Sequence, residues 1–290
     1  MTEITLLDGG MGQELILRSK DEPTPLWSTH VMHTHPGLVA EIHDSYRKAG
    51  ATVQTANTYA ILRDRLKDTH LEDHFEDLYR AALAEVAGPG RIAGSIGPLR
   101  ASYRPDLHPS GKEAVTLYKE VVALLAPSVD LILYETVASI AHAKDALSAA
   151  EGCGNPIWLA MTVNDDDGTQ LRSGEPLADA LAVTKGADAL LINCSTPEVI
   201  PPALDILATQ PLPFGAYANG FEKISDGFLQ DNPTVDALSS RRDLSPDAYA
   251  DHAMGWIAQG ATIVGGCCEV GPSHIAAMAK AITNAGHTIV

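Results

Sequence analysis

The sequence has few cysteines, few basic residues and no long apolar run, and each shortage excludes a class of protein. Four cysteines in 290 residues do not make the disulfide framework of a small secreted domain. Twenty lysines and arginines against 37 acidic residues give a formal charge of −17, which argues against nucleic acid and anionic membrane surfaces as partners. No apolar run approaches the roughly 18 residues that span a bilayer, and residues 1–5 lack signal-peptide character. We therefore expect a cytoplasmic protein that acts on small molecules.

What the sequence does contain is an alternation of short apolar runs and amphipathic stretches. Eight apolar runs indicate buried strands at 4–7, 51–55, 91–96, 130–134, 156–163, 188–193, 213–217 and 261–265. Eight stretches of helical period lie at 36–49, 73–87, 111–126, 137–150, 175–184, 197–209, 245–259 and 272–285. This pattern predicts an α/β fold, a single (β/α)8 TIM barrel over residues 1–290. Functional groups of such barrels lie at the carboxyl ends of the strands.

Three of the four cysteines fall at predicted strand ends. Cys194 closes the sixth strand, and Cys267 and Cys268 follow the eighth. If these strand ends face one cavity, three thiolates converge there, and zinc prefers such a site when one coordination position stays open for chemistry. A free cysteine also packs as a small buried hydrophobe, so a purely structural role is the alternative. We interpret Cys153, in the turn before the fifth strand, as structural or incidental.

Seven short strings occur in an order that carries a family resemblance. They are 7–12 (LDGGMG), 26–28 (LWS), 49–59 (AGATVQTANTY), 93–98 (AGSIGP), 135–136 (ET), 192–194 (INC) and 265–275 (GGCCEVGPSHI). Together they resemble the homocysteine S-methyltransferases, and the spaced Asn-Cys and Gly-Gly-Cys-Cys strings are the most specific part. The resemblance implies a methyltransferase that makes methionine from homocysteine, with Zn2+ as cofactor. Its metal ligands and catalytic residues would be Cys194, Cys267 and Cys268.

The resemblance also gives a functional interpretation to residues that bind the substrate. Asp8 and Glu135 would hold the ammonium group of homocysteine, although an acidic residue before two glycines also suits a turn. Backbone N–H groups of Gly9, Gly10 and Met11 would meet the substrate carboxylate, as small-residue turns do for anions.

Other predicted site residues serve the metal ligand and the methyl donor. Asn193 would position Cys194 or the substrate through its amide. The donor should be a sulfonium or a quaternary ammonium, and such cations bind aromatic faces. Trp27 and Tyr59 in the rim loops are the candidates, with packing beneath a loop as the alternative for each.

The identity of the donor stays open at this point. Thr136 stands where betaine-dependent members carry tyrosine, and Ala138 and His142 differ from the S-methylmethionine type. The string 55–59 (TANTY) favours the betaine and methionine-synthase branches.

Alternatives to a small-molecule methyltransferase also remain. One is a barrel that activates homocysteine and takes its methyl group from a separate corrinoid protein; another is a non-catalytic zinc-binding barrel. A metal-dependent hydrolase is disfavoured because His33 and His35 do not follow a predicted strand. The segment 217–244 is either a lid or a solvated loop. A monomer or weak homo-oligomer is expected.

Overall fold

Parallel strands form a closed barrel in the computed structural model, which describes residues 1–21, 24, 26–109, 111–224, 229 and 239–290. The strands are β1 (Glu3–Leu6), β2 (Val53–Thr55), β3 (Arg91–Ile96), β4 (Leu131–Val137), β5 (Ile157–Met161), β6 (Ala189–Asn193), β7 (Phe214–Tyr217), β8 (Ile263–Val264) and β9 (Thr288–Ile289). Their order is β2-β3-β4-β5-β6-β7-β8-β1-β9, and a parallel bridge between Leu7 and Val53 joins β1 to β2. The eight predicted strands and the TIM-barrel fold are confirmed. The additional β9 pairs with the first residues of β1.

Helices cover the outside of this barrel. They are α1 (Met11–Ser19), α2 (Trp27–Thr34), α3 (Leu38–Ala49), α4 (Arg63–Leu66), α5 (Phe75–Val86), α6 (Gly111–Leu125), α7 (Ile140–Ala150), α8 (Leu177–Ala180), α9 (Ile200–Leu207), α10 (Pro246–Ala258) and α11 (Pro272–Asn284). Ser245 caps α10 by accepting the Ala248 N–H group, and Gly50 ends α3 with φ 111°, a conformation that suits glycine. Among the described helices, none combines the length and apolarity that a membrane crossing needs.

Three helices of the described structure, α1, α2 and the four-residue α4, were not predicted from the sequence, and burial explains why α1 and α2 were missed. Helix α1 buries only Leu15, while Leu17 on the same helix is 72% exposed. An apolar period is the main sequence signal of a helix, and α1 carries little of it. Helix α2 likewise mixes histidine, serine and threonine with few apolar residues. Both helices lie between the β1 end and α3, so they form part of the rim.

Alternation along the strands decides which side chains reach the centre of the barrel. On β4, Leu131 and Leu133 belong to the interior cluster, whereas Ile132 and Tyr134 pack in the outer cluster beneath the helices. Because side chains of a strand alternate between its two faces, the next inward position is a polar residue at the carboxyl end. The inward residues there are Ser95, Glu135, Asn193 and Tyr217.

Candidate active site

One cavity opens at the carboxyl ends of the strands and encloses about 900 Å³, its open mouth included. Ten of the eleven site residues predicted from the sequence line it: Asp8, Gly9, Gly10, Met11, Tyr59, Glu135, Asn193, Cys194, Cys267 and Cys268. The eleventh, Trp27, begins α2, but its side chain lies outside the described part of the structure. Residues 225–228 and 230–238 of the predicted segment 217–244 also lie outside it. The residues predicted to lie at the carboxyl ends of the strands therefore surround one cavity.

Three cysteines converge on one side of this cavity. Their Sγ atoms all lie within 4.8 Å of one another. Cys194 follows β6 directly, and Cys267 and Cys268 follow the two glycines after β8. Gly266 lies so close to the Val270 side chain that a Cβ atom would collide with it. Glycine at that position therefore allows the turn that carries both cysteines into the cavity.

The chemistry of this cysteine set suits a soft metal ion. The structure pairs Cys194 with Cys267 as a disulfide, with Cα atoms 5.9 Å apart, so this pair must be reduced before both sulfurs can act as thiolate ligands. Burial raises the pKa of the Cys268 thiol to about 12, and a bound cation is what deprotonates such a thiol. Once that pair is reduced, three sulfurs that lie within 4.8 Å of one another can occupy three corners of a tetrahedral site. Cys153 lies apart from them, with its Sγ 3.8 Å from the Asn155 carbonyl.

Two buried carboxylates occupy another part of the cavity. Asp8 is 2% exposed and accepts hydrogen bonds from the Thr55 N–H group at 2.8 Å and the Thr55 hydroxyl at 2.7 Å. Burial raises the pKa of Asp8 to about 7. Glu135 accepts hydrogen bonds from the Tyr217 hydroxyl at 2.9 Å and from the Ser95 hydroxyl. Its pKa is also raised by burial, so both groups are costly to ionise without a cationic partner.

The protein supplies no such partner among the residues described. No lysine, arginine or histidine of the described chain lines the cavity. His43 Nδ1 lies 3.8 Å from an Asp8 carboxylate oxygen, but burial lowers the pKa of His43 to about 3, so the ring is neutral. Buried carboxylates without a cation are unfavourable. A ligand with an ammonium group would relieve this cost, because it would supply the missing positive charge.

Asn193 and Thr136 connect the carboxylate side of the cavity to the cysteine side. The Thr136 N–H group donates to Asn193 Oδ1 at 3.0 Å, and Asn193 Nδ2 donates to the Thr136 hydroxyl at 3.3 Å. Thr136 has φ 57°, which is an unusual conformation for a β-branched residue. The Asn193 amide therefore fixes the residue next to Glu135, while its own backbone leads into Cys194.

Aromatic side chains form the outer wall of the cavity. Tyr59, Tyr103 and Phe221 all line it. The Tyr59 hydroxyl is hydrogen-bonded to Ser102 at 2.8 Å, so the ring is held in place. Sequence reasoning identified Tyr59, which belongs to the family string 49–59, but missed Tyr103 and Phe221, which belong to none of the seven strings. The nearest signal was the predicted segment 217–244, which contains Phe221.

The glycine loop after β1 leads directly into a helix. The Gly10 N–H group donates to the Val270 carbonyl at 3.0 Å, so it is already engaged within the protein. A Cβ atom on Gly10 would lie 2.7 Å from the Cys267 carbonyl oxygen, which explains the need for glycine there. Helix α1 begins at Met11, and its first residues line the cavity. Unpaired N–H groups at such a helix start favour an anion.

The fold and the site together define a TIM-barrel protein with a three-cysteine centre and an acidic pocket at its catalytic rim. A model of the homocysteine S-methyltransferase family matches residues 5–282. A homocysteine S-methyltransferase of Escherichia coli K12 is 31% identical over 95% of this chain and 94% of its own. Homocysteine S-methyltransferase 4 of Zea mays is 27% identical over 97% of this chain and 90% of its own.

A solved structure shows the same similarity in three dimensions. The metallated form of the homocysteine methyltransferase MmuM from Escherichia coli matches with a TM-score of 0.80 and 26% identity, covering 96% of each chain. The present chain belongs to the homocysteine S-methyltransferase family. The resemblance recognised in the sequence is thereby confirmed.

Proposed function

We propose that this protein transfers a methyl group from a cationic small-molecule donor to the sulfur of homocysteine, which yields methionine. The observation that carries this proposal is one cavity in which three cysteine sulfurs face two buried carboxylates that have no cation among the described residues. Homocysteine has the matching groups, since it carries a thiol at one end and an ammonium and a carboxylate at the other. Family membership supports the same acceptor.

The amino-acid end of homocysteine would bind between β1 and β4. Asp8 and Glu135 would neutralise its ammonium group, and each carboxylate is already oriented by two hydrogen bonds from the protein. The N–H groups at the start of α1, from Met11 onward, would receive the substrate carboxylate. This placement directs the substrate thiol toward the cysteines across the cavity.

Cys194, Cys267 and Cys268 would hold a zinc ion. Thiolates are among the ligands that zinc takes in sites with three protein ligands and one open position, and that open position serves chemistry. A zinc ion bound there would supply Lewis acidity that keeps the homocysteine sulfur deprotonated near neutral pH. The protein's part is to hold three thiolates in register and to exclude competing ligands. The proposed metal centre requires reduced thiols, which a cytosolic setting maintains, so we propose a cytoplasmic protein whose residues 1–290 form one barrel domain.

The charge of the cavity bears on the methyl donor. Betaine and dimethylsulfoniopropionate carry a carboxylate that needs a cationic partner, and no basic side chain of the described residues lines the cavity. S-methylmethionine also carries a carboxylate, but its ammonium and sulfonium groups leave it with a net positive charge, whereas the other two donors are neutral overall. Aromatic faces of Tyr59, Tyr103 and Phe221 suit its sulfonium. We therefore favour S-methylmethionine as the donor, although the string 55–59 favours the betaine and methionine-synthase branches.

The test is methionine formation by reduced, zinc-loaded protein supplied with homocysteine and one donor at a time. The donors are S-methylmethionine, S-adenosylmethionine, betaine and dimethylsulfoniopropionate. We expect turnover with S-methylmethionine to exceed that with either zwitterionic donor by at least tenfold. Silence with every donor, while the protein binds one zinc per chain, would overturn the proposed reaction and favour a corrinoid partner instead.

A further inference from the structure

Arg172 and Asp165 form a buried ion pair behind the wall of the cavity. Their side chains are 11% and 6% exposed, and both residues lie in the loop after β5. Two contacts of 2.7 Å join the guanidinium to the carboxylate. Arginine provides this paired, planar geometry, whereas lysine offers only a point charge. Neither residue lines the cavity, and neither lies in the strings that carry the family resemblance.

The guanidinium reaches beyond Asp165 to the backbone of Cys194. Arg172 Nη2 donates to the Cys194 carbonyl at 3.3 Å, and the Thr162 hydroxyl donates to the same oxygen at 3.2 Å. Cys194 has φ 48°, a left-handed conformation that is unfavourable for a residue with a side chain. Two donors on one carbonyl therefore stabilise a backbone conformation that Cys194 would otherwise leave. That conformation sets the direction of its Sγ atom.

Asp165 extends the same contacts to the neighbouring loops. Its carboxylate accepts the Thr196 N–H group at 3.2 Å and the Ile224 N–H group at 3.2 Å. These residues follow β6 and β7 respectively. The ion pair thus joins the loops after β5, β6 and β7. Cys194 lies in the second of these loops, directly after β6.

The other face of this arrangement is aromatic. The Arg172 guanidinium carbon lies 5.2 Å from the centroid of the Tyr103 ring, within the range of a cation–π contact. Tyr103 packs in the same apolar cluster as Cys194 and Phe221. The Arg172 guanidinium therefore contacts both the backbone of Cys194 and the ring of Tyr103 in the outer wall of the cavity.

A buried ion pair is a poor way to gain stability, because apolar residues of the same volume often serve as well or better. Its value lies in holding neighbouring groups in one arrangement. We propose that Arg172 is a positioning residue for the metal ligand Cys194: braced by Asp165, it fixes the Cys194 backbone so that its sulfur meets those of Cys267 and Cys268. This inference rests on the proposed function in one respect, that the three cysteines are the metal ligands.

The test measures metal binding without turnover. Reduced wild-type protein and Arg172→Met are titrated with Zn2+ against a chromophoric chelator, and with Co2+ while the thiolate and visible ligand-field bands are recorded. Partners that orient metal ligands typically change metal affinity by about 10- to 100-fold. We expect Arg172→Met to weaken Zn2+ binding by about that factor and to shift the Co2+ bands, and Arg172→Lys to restore little, since it lacks the planar fork.

Two further variants keep the result interpretable. Arg63→Met removes a paired arginine from the exposed Arg63–Glu120 contact, away from the cavity, and should leave Zn2+ affinity and the Co2+ bands unchanged. Thr162→Val removes the second donor to the Cys194 carbonyl and should weaken Zn2+ binding in the same direction. It carries the test if Arg172→Met does not fold.

The outcomes separate this inference from the function on which it rests. Unchanged Zn2+ affinity and Co2+ bands in Arg172→Met, even with a lowered melting temperature, would show a merely structural role and overturn the inference. Failure of the reduced wild-type protein to bind one Zn2+ through its cysteines would instead overturn the proposed metal centre. Tight wild-type binding that is weakened in both Arg172→Met and Thr162→Val supports the inference.

Discussion

Asn193 holds Thr136 in a left-handed conformation through two hydrogen bonds, one to its N–H group at 3.0 Å and one to its hydroxyl at 3.3 Å. The two residues belong to different strands, β6 and β4, and each precedes or follows a predicted functional residue. Thr136 follows Glu135, and Asn193 precedes Cys194. The pair therefore ties the proposed ammonium pocket to the cysteine centre, and a change in either residue should affect both.

Replacement of Asn193 by alanine tests this connection. The Thr136 N–H group would lose its partner, and an unsatisfied buried donor costs about 1–3 kcal/mol. We expect Asn193→Ala to lower the free energy of unfolding by about 2 kcal/mol and to weaken homocysteine binding by about tenfold. Urea unfolding and calorimetric titration with homocysteine measure the two effects.

The matched control is Asn155→Ala. Asn155 also donates two hydrogen bonds to backbone carbonyls, those of Ala126 and Val129, but it lies at the amino end of β5. The Asn155→Ala variant should be less stable than the wild type and should keep the wild-type affinity for homocysteine. Equal homocysteine affinities in Asn193→Ala and Asn155→Ala would show that Asn193 acts on stability alone.

Asp8 should make the ligand-free protein less stable at alkaline pH. Burial raises its pKa from 3.8 to about 7, so the unfolded chain releases this proton more easily than the folded one. The penalty is absent below about pH 4, grows between pH 4 and 7, and is complete above pH 7. About three pKa units correspond to roughly 4 kcal/mol. We expect Asp8→Asn to raise the free energy of unfolding by about 1–4 kcal/mol at pH 8 and by little at pH 4.

Urea unfolding of the reduced, metal-free protein at pH 4, 6 and 8 measures this effect. The exposed Asp251 on α10 provides the control, since Asp251→Asn should leave the difference between pH 4 and pH 8 as it is in the wild type. The same Asp8→Asn change should weaken homocysteine binding, because it removes a negative charge from the ammonium pocket. If Asp8→Asn raises the free energy of unfolding no more at pH 8 than at pH 4, the argument that burial destabilises the ionised Asp8 is contradicted.

Tyr217 should contribute to homocysteine binding through Glu135. Its hydroxyl donates to the Glu135 carboxylate at 2.9 Å, and a hydrogen bond to a charged group contributes about 1.5–3 kcal/mol. Tyr217→Phe therefore should raise the pKa of Glu135 further and weaken homocysteine binding by about 10- to 100-fold. Titrations with homocysteine near neutral pH measure this loss of affinity.

Tyr134 on β4 is the natural comparison for that variant. Its hydroxyl is also buried, but it has no hydrogen-bond partner in the described structure. Tyr134→Phe should leave homocysteine affinity unchanged and should not lower stability. Similar affinities for Tyr217→Phe and Tyr134→Phe would refute the role assigned to the Tyr217 hydroxyl.

Metal removal should expose the cysteine centre to oxidation. Cys194 and Cys267 are close enough to form a disulfide, a reaction that passes two electrons and two protons to the oxidant. We expect diamide to lower the count of alkylatable thiols in the metal-free protein from four to two, those of Cys153 and Cys268. Zinc binding should be lost when Cys194 and Cys267 pair, and it should return when the disulfide is reduced.

The zinc-loaded protein should resist the same treatment, because its thiolates are occupied. Mass spectrometry after alkylation identifies which cysteines have paired. Oxidation that starts at Cys153, or proceeds equally fast with and without zinc, would argue that the three cysteines do not form a common metal site.

Much of the fold was predictable because it depends on short-range patterns. The β-strands of this barrel are buried on both faces, so they appear as apolar runs, and the alternation with helices gives the count. Helices α1 and α2 were missed because rim helices bury little and carry a weak apolar period. The two-residue strand β9 gives no pattern of its own; it forms only because β1 offers an edge.

The site was predictable wherever its residues lie at or just beyond the carboxyl end of a strand. Asp8, Glu135 and the three cysteines belong to that group, and the family strings add their roles. Arg172 and Tyr103 could not be found in this way, since they lie in loops and reach the site through long-range contacts that have no spacing rule. Their placement depends on how the loops after β3 and β5 fold over the rim.

The most direct test of this account compares two cysteine variants in one assay. Methionine formation from S-methylmethionine and homocysteine is measured for reduced, zinc-loaded wild type, Cys267→Ala and Cys153→Ala, with bound zinc determined in each sample. We predict that Cys267→Ala loses both zinc and activity, whereas Cys153→Ala retains both. Activity in Cys267→Ala comparable to that of the wild type would contradict the central claim that the three cysteines at the barrel rim activate homocysteine.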